Sequence, residues 1–422
     1  MSYPNEEMPF NALITRLSHQ EAGVRQDAAR RLGETGNAEA VEPLIGLLND
    51  PDSRVRKTAI DALSISGDSR AVPPLLNLFS DPDPGIRLTA AAAFVPTLRA
   101  FALDPLIQLA SSSIDPRVRS TALWALHEFD PGIAVPILIE GLKSQDGEVK
   151  STAAEALGIL RATSSLDALL AALHDEREHV QTQVALALGQ LGDARAIDPL
   201  VNRLERATTE ARCRIIEALS AIGDASALQA IIRSLQDVQP AVRSAAAHAA
   251  AALQDTSAIE ALLPLLGDAH ADVRQAAAFA LGSIAHNADG VVEALIARLE
   301  HDMDNDVVFW SAWSLARLKH PAAHPVLLNA LQAPETYKRA RAVEALSVFN
   351  DKQVKESIIR MLDDGHWRVR EQAVIALRVF DGGDPAVTDA LSRIAESDTN
   401  PTVRAAAQNR LSGYHRRPDL GR

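Results

Sequence analysis

The sequence predicts an all-α, right-handed superhelical solenoid of about thirteen helix pairs, and three observations carry that prediction. A short segment with a basic anchor recurs with a period near 31 residues along the chain. Each period holds two stretches whose apolar residues fall at helical spacing. The apolar share of 47% comes mostly from Ala, Leu, Val and Ile, with only 4% aromatic residues, which suits closely packed helices.

The recurring segments begin "VRQDAARRL", "VRKTAIDAL", "IRLTAAAAF" and "VRSTALWAL", and end with "VREQAVIAL" and "VRAAAQNRL". Their anchors are Arg25, Arg56, Arg87, Arg119, Lys150, Gln181, Arg212, Arg243, Arg274, Val308, Arg339, Arg370 and Arg404. Successive anchors are 31 residues apart, except for one gap of 32 and two of 34. In the second unit, Val41, Leu44, Ile45 and Leu48 line one face of a first helix, A. Val55, Ala59, Ile60, Ala62 and Leu63 line one face of the second, B. The A-to-B links "NDPDS", "SDPDP" and "SIDPR" supply Asp for N-caps and Pro for first turns. Gly67-Asp68, Gly192-Asp193 and Gly223-Asp224 are read as left-handed helix ends followed by a new start. One helix pair cannot bury its own apolar face, so the pairs must stack. The expected organisation is a flexible segment 1–7, a single solenoid over 8–413 and a flexible basic tail over 414–422.

"GDARAIDPLVNRLE" and "NDPDSRVRKTAIDALSISGDSRAVPPLL" resemble the HEAT repeat in its short bacterial, phycobilisome-lyase-like form. The resemblance covers about residues 8 to 413 and implies an armadillo-like helical array whose B helices line the concave surface. It also implies a ladder in which an Asp of the A–B turn pairs with the helix-B Arg six residues later. Asp50/Arg56, Asp81/Arg87, Asp237/Arg243, Asp268/Arg274, Asp364/Arg370 and Asp398/Arg404 match that pattern. As exposed pairs these would contribute about 0–1 kcal/mol each and act mainly on register.

The formal charge of −13 opposes phosphate backbones, so nucleic acid is not an expected partner. The single Cys213 leaves no internal disulfide and no multi-cysteine zinc site, which suits a cytoplasmic protein. "MSYPNEEMPF" lacks the apolar stretch of a secretory signal, and no segment has the composition of a membrane span. No P-loop, G-x-S-x-G or HExxH motif occurs. "DMDND" (Asp302, Asp304, Asp306) opens like a calcium loop, but Val307 and Trp313 stand where the loop needs Gly and Glu, so a capped turn is expected. His174 with His179, and His320 with His324, have no second cluster at ligand spacing. Deoxyhypusine hydroxylase is similar in fold and uses several His-Glu pairs, whereas this chain has one, His127-Glu128. A bilin lyase sharing the repeat would need several Tyr, Arg, His or Trp on its inner surface, and only Tyr337 of three Tyr lies in the array. No cofactor and no metal is expected.

Counted from each anchor, offsets −1, +3, +4 and +7 are apolar or small and form the packed face, leaving +1, +2 and +5 on the other side. In the tenth repeat, "DNDVVFWSAW", the anchor is Val308, and Phe309, Trp310 and Trp313 take those three offsets. Phe279 takes offset +5 one helix earlier. These four should meet, with His248, Arg317, Arg341, Glu344, Gln275 and Gln372 around them. One reading is a helix rotated by the preceding insertion, with its aromatics in the core. The other, preferred on the offsets, is an aromatic interface anchor with a polar rim on the concave surface. Trp124, alone in its repeat, is at most a minor contact. The function expected is a non-enzymatic scaffold for a protein or peptide with basic segments; the alternative is a bilin-lyase-like or other modifying enzyme using the same groove.

Overall fold

A computed structural model describes residues 8–94, 98–285, 289–320, 322–380 and 384–414. The expected flexible segments lie outside it, save that helix Pro401–Tyr414 includes the first residue of the tail. Among the described residues there are 26 α-helices and no strand, so the helices fall into successive A–B pairs, one B helix for each anchor. Two compact units are formed, Met1–Ile222 and Gly223–Arg422. In each, neighbouring pairs pack B helix on B helix. No helix among the described residues is long and apolar enough to cross a membrane.

The B helices follow the sequence pattern closely. In Ser53–Ser66, Val55, Ala59, Ile60 and Leu63 are at most 1% exposed. Asp52, Asp83, Asp115, Asp146 and Asp304 each cap a B helix by accepting a hydrogen bond from the backbone N–H two residues on. Gly36, Gly67, Gly192 and Gly223 close helices at φ between 62° and 75°, where a side chain would be strained. Arg161, Gln254 and Lys319 adopt the same left-handed conformation without being glycine.

The A helices differ from the simple amphipathic reading. Several start as a 3-10 turn capped by Asp, as at Ser69–Ala71 after Asp68. In the second repeat the helix Val41–Gly46 tightens into a 3-10 turn, Leu47–Asn49. Three residues per turn swing Leu47 into the core beside Leu48, while Ile45 stays half-buried.

The ladder also differs from the expected one. Within a repeat, the anchor Arg reaches back six residues to a backbone carbonyl, as in Arg56 Nη1 to Asp50 O at 2.9 Å. The Asp carboxylate is taken instead by the anchor of the preceding repeat. Those pairs are Arg25–Asp50 (2.6 Å), Arg56–Asp81 (3.2 Å) and Lys150–Asp175 (2.6 Å) in the first unit. In the second they are Arg243–Asp268, Arg274–Asp302 and Arg339–Asp364 at 2.8 Å, and Arg370–Asp398 at 2.7 Å. The reason is geometric: each Asp already caps its own turn, as Asp50 does for the N–H of Asp52, and this aims its carboxylate at the neighbouring repeat. The rungs are not exposed pairs either. The side chain of Asp302 is 3% exposed and that of Arg274 is 16%. Burial pushes the Asp302 carboxyl up, but Arg274 and the N–H of Asp304 outweigh it and hold its pKa below the usual value.

Candidate functional site

The second unit brings all eight candidate residues into one connected group on four successive B helices. These are Pro240–Leu253 with His248, Ala271–Ile284 with Phe279, Asn305–Leu318 with Phe309, Trp310, Trp313 and Arg317, and Thr336–Leu346 with Arg341 and Glu344. The insertion before the tenth repeat does not rotate its B helix. Val307, Ser311, Ala312 and Leu315, at offsets −1, +3, +4 and +7, are each 0% exposed. Phe309, Trp310 and Trp313 are half-buried on the opposite side, as are Phe279, Gln275 and Gln372. The aromatics are therefore neither core nor freely exposed.

Close helix approach sets the cluster. A Cβ added at Gly282 would lie 2.1 Å from Ser314 Oγ and 2.7 Å from Ser314 Cα, so only glycine lets these two helices come this near. Ser314 Oγ in turn donates to the carbonyl of Ala278 at 2.7 Å. With the helices so close, Phe279 meets Trp310 edge-on at 5.0 Å and lies against Trp313 at 5.8 Å. Trp310 also meets Phe309 at 4.9 Å and Trp313 at 5.4 Å, both edge-on. Such offset and edge contacts suit the ring quadrupoles.

Charged groups close both ends of the group. Arg317 lies over the Trp313 ring at 5.2 Å, and Arg341 over the Phe309 ring at 4.4 Å. Arg341 is also paired with Glu344 at 2.9 Å. His248 rests 5.6 Å from Phe279 with an exposed edge. Water displaced from its inner face holds the imidazole pKa below its ordinary value. The arrangement offers a semi-rigid apolar centre with a polar rim. The ladder is interrupted on this helix, since Val308 is buried and carries no charge.

Several of the other sequence candidates have local partners. Asp304 caps its helix through the N–H groups of Asp306 and Val307, and Asp302 belongs to the ladder. His324 bonds Asp351 at 3.0 Å, and His127 lies 3.3 Å from Glu128. Among the described residues, no three His, Cys, Asp or Glu side chains gather as a metal ion would require. Trp124 does more than its isolation in sequence suggested. It packs on His127 at 4.5 Å and lines a cavity of about 310 Å³ with Arg87, Leu88, Thr121, Glu148 and Glu155. Burial pushes the Glu155 carboxyl up, with His127 opposing the shift. Its only sequence signal is that Trp124 and Glu155 hold offset +5 in adjacent repeats.

A family model described as HEAT repeats matches residues 10–95, 103–177, 135–212, 197–282, 259–335 and 325–412. The chain belongs to the HEAT-repeat family. Among curated proteins, this HEAT chain is 31% identical over 145 residues to phycocyanobilin lyase subunit alpha of Nostoc sp.. That match covers 31% of the chain and 49% of the lyase subunit, so the chain spans about half of that relative. Yeast importin-β (Kap95p) is similar in structure, with a TM-score of 0.64 at 15% identity over 96% of this chain and 65% of that one. Kap95p in a structure with RanGDP gives 0.63 at 14% identity, over 96% and 65%. The complex of Kap95 with Nup1 gives 0.57 at 15%, over 96% and 60%. At such identities these likenesses show the α-solenoid fold alone.

Proposed function

We propose that this HEAT protein is a non-enzymatic scaffold that holds a protein or peptide partner on its helix-B face, anchored by the cluster of the tenth repeat. The observation that carries this reading is the contiguity of the eight side chains: four half-buried rings joined through Trp310, flanked by Arg317, Arg341, Glu344 and His248. Trp and Arg supply most of the binding energy at protein interfaces, with the strongest anchors contributing about 2 kcal/mol or more each. Importin-β, of the same fold, is seen with RanGDP and with Nup1, which supports protein binding as a use of such a surface. The formal charge of −13 favours a partner with basic segments and disfavours nucleic acid. The lone thiol of Cys213 is in keeping with work in the cytoplasm.

The test uses the intact chain and Trp310→Ala/Trp313→Ala as baits, with the retained protein identified and then titrated in purified form. Loss of about 2–3 kcal/mol predicts binding at least ~30-fold weaker in the double variant. Equal affinity for both baits would remove the cluster from the interface. A lyase-like modifying activity is the second reading, and the likeness to the Nostoc lyase subunit favours it. Phycocyanobilin mixed with the protein decides that point: a coloured adduct that survives denaturation would replace the scaffold reading.

A further inference from the structure

The inter-repeat ladder fails in two different ways. The cation and the anion are lost together at Val308, with Ala333 six residues before the next anchor, Arg339, and at Gln181, with Arg206 six residues before the next anchor, Arg212. In the first unit two successive rungs keep the cation and lose only the anion. The carboxylates for Arg87 and Arg119 would come from the positions six before the following anchors, which are Ser113 and Ser144. Ser144 retains the turn-capping role, accepting from the N–H of Asp146 at 3.1 Å. It makes no bond to Arg119.

The two guanidinium groups are left under-satisfied. Among the described residues, Arg87 keeps only its bonds to the carbonyls of Asp81 at 2.9 Å and Pro82 at 3.3 Å. Arg119, like Arg56, has a buried Nε with no acceptor among the described residues, but Arg56 keeps Asp81 at 3.2 Å whereas Arg119 has no carboxylate partner among them. A half-buried guanidinium without its counter-ion carries an uncompensated charge, and apolar replacement of both partners, as at Val308 and Ala333, removes it. Beside Arg119 lies a cavity of about 430 Å³ between the A helices Arg99–Ser112 and Pro131–Gly141. Ala110, Pro136, Ile137 and Val149 give it an apolar wall, and Ser111 and Ser144 give it hydroxyls. Glu140, the one carboxylate in the lining, is neutralised by Lys143 at 2.8 Å.

We propose that Arg119 and this cavity form a binding site for an ionised carboxyl group carried on an aliphatic stem. The carboxylate takes the place an Asp holds in the complete rungs. There the geometry is on display: Arg243 donates from Nε at 2.8 Å and from Nη2 at 2.9 Å to the two oxygens of Asp268. The apolar wall takes the stem. The carboxyl can belong to a small aliphatic acid or to the end of a peptide.

The experiment titrates the full chain by calorimetry with hexanoate, with its neutral isostere hexanamide, and with an acetylated Ala-Leu dipeptide bearing either a free or an amidated C-terminus. Hexanoate or the free-acid dipeptide should bind, whichever is tighter naming the source, and each neutral counterpart should bind at least 10-fold more weakly. Ser144→Asp supplies a tethered carboxylate while keeping the turn cap, as Asp50 does. It should weaken acid binding at least 10-fold with an unchanged or raised melting temperature. Arg119→Gln should weaken it equally and decides the matter should Ser144→Asp not fold. The proposal is overturned if neither acid binds the unaltered protein, or if Arg119→Gln binds them as well as the unaltered protein does.

Discussion

Replacing Trp310 and Trp313 with Ala, singly and together, measures how far the aromatic group is built in advance of any partner. Trp310 touches three rings, at 5.0, 4.9 and 5.4 Å, and Trp313 touches two rings and the Arg317 guanidinium. An aromatic pair of this kind is worth about 0.5–1.5 kcal/mol beyond area burial. The contacts share atoms and the rings are half in water, so Trp310→Ala should cost about 2 kcal/mol and Trp313→Ala slightly less. A fully buried large aromatic would cost about 3–5 kcal/mol. The direct contact between the two rings should appear as a coupling of about 1 kcal/mol in the double-mutant cycle. Urea unfolding followed by circular dichroism reads all three values, with Leu315→Ala on the same helix as the core control. Losses near 5 kcal/mol for either Trp would make the group part of the core. A coupling near zero would mean that the rings do not meet in solution.

Three further outcomes follow from the packing and the ladder. Gly282→Ala forces a methyl to within 2.7 Å of the Ser314 backbone and should cost about 1–3 kcal/mol, and an unchanged melting temperature would contradict the close approach that seats Phe279. Asp302→Asn leaves Arg274 without its counter-ion and should cost about 3 kcal/mol at pH 7, whereas Asp27→Asn, at an exposed pair, should cost under about 1 kcal/mol. Because the folded Asp302 pKa lies below its ordinary value of 3.8, that difference is fully present above about pH 5 and shrinks as pH falls through the folded pKa. A difference already fading between pH 7 and 5, read by urea midpoints, would refute the assignment. Lys319→Gly relieves a φ of 49° at an exposed helix end and should stabilise the protein by about 1 kcal/mol, and a destabilised variant would count against the strain.

Much of this was legible in the sequence, for reasons that differ by element. The B helices were readable because Val55, Ala59, Ile60 and Leu63 repeat the same offsets in almost every unit. Those offsets also brought the aromatic rings together, since stacked B helices put equal offsets side by side, and Phe279 therefore meets Trp313. The A helices were less readable because their ends tighten into 3-10 turns, a shift of register that leaves no mark in apolar spacing at Leu47. The ladder was misread for another reason. Six-residue spacing is a local pattern, and it does mark a bond, but to the carbonyl of Asp50 rather than to its carboxylate. The carboxylate contact joins residues 25 apart, Arg25 to Asp50, and a local pattern cannot reveal it. Once that longer spacing is known, Ser113 and Ser144 stand out as missing partners in the sequence itself. The same rule of equal offsets places Glu155 beside Trp124, whereas Glu148, in the first turn of the next B helix, shares no offset with Trp124 and so left no sign of the cavity it lines.

The claim that the tenth repeat anchors a partner is tested most directly by titrating a captured and purified partner against the intact chain and the Trp310→Ala/Trp313→Ala variant under conditions where both are folded. The account predicts binding at least ~30-fold weaker in the variant, following a loss of about 2–3 kcal/mol. Equal affinities, with the variant still cooperatively folded, would contradict it.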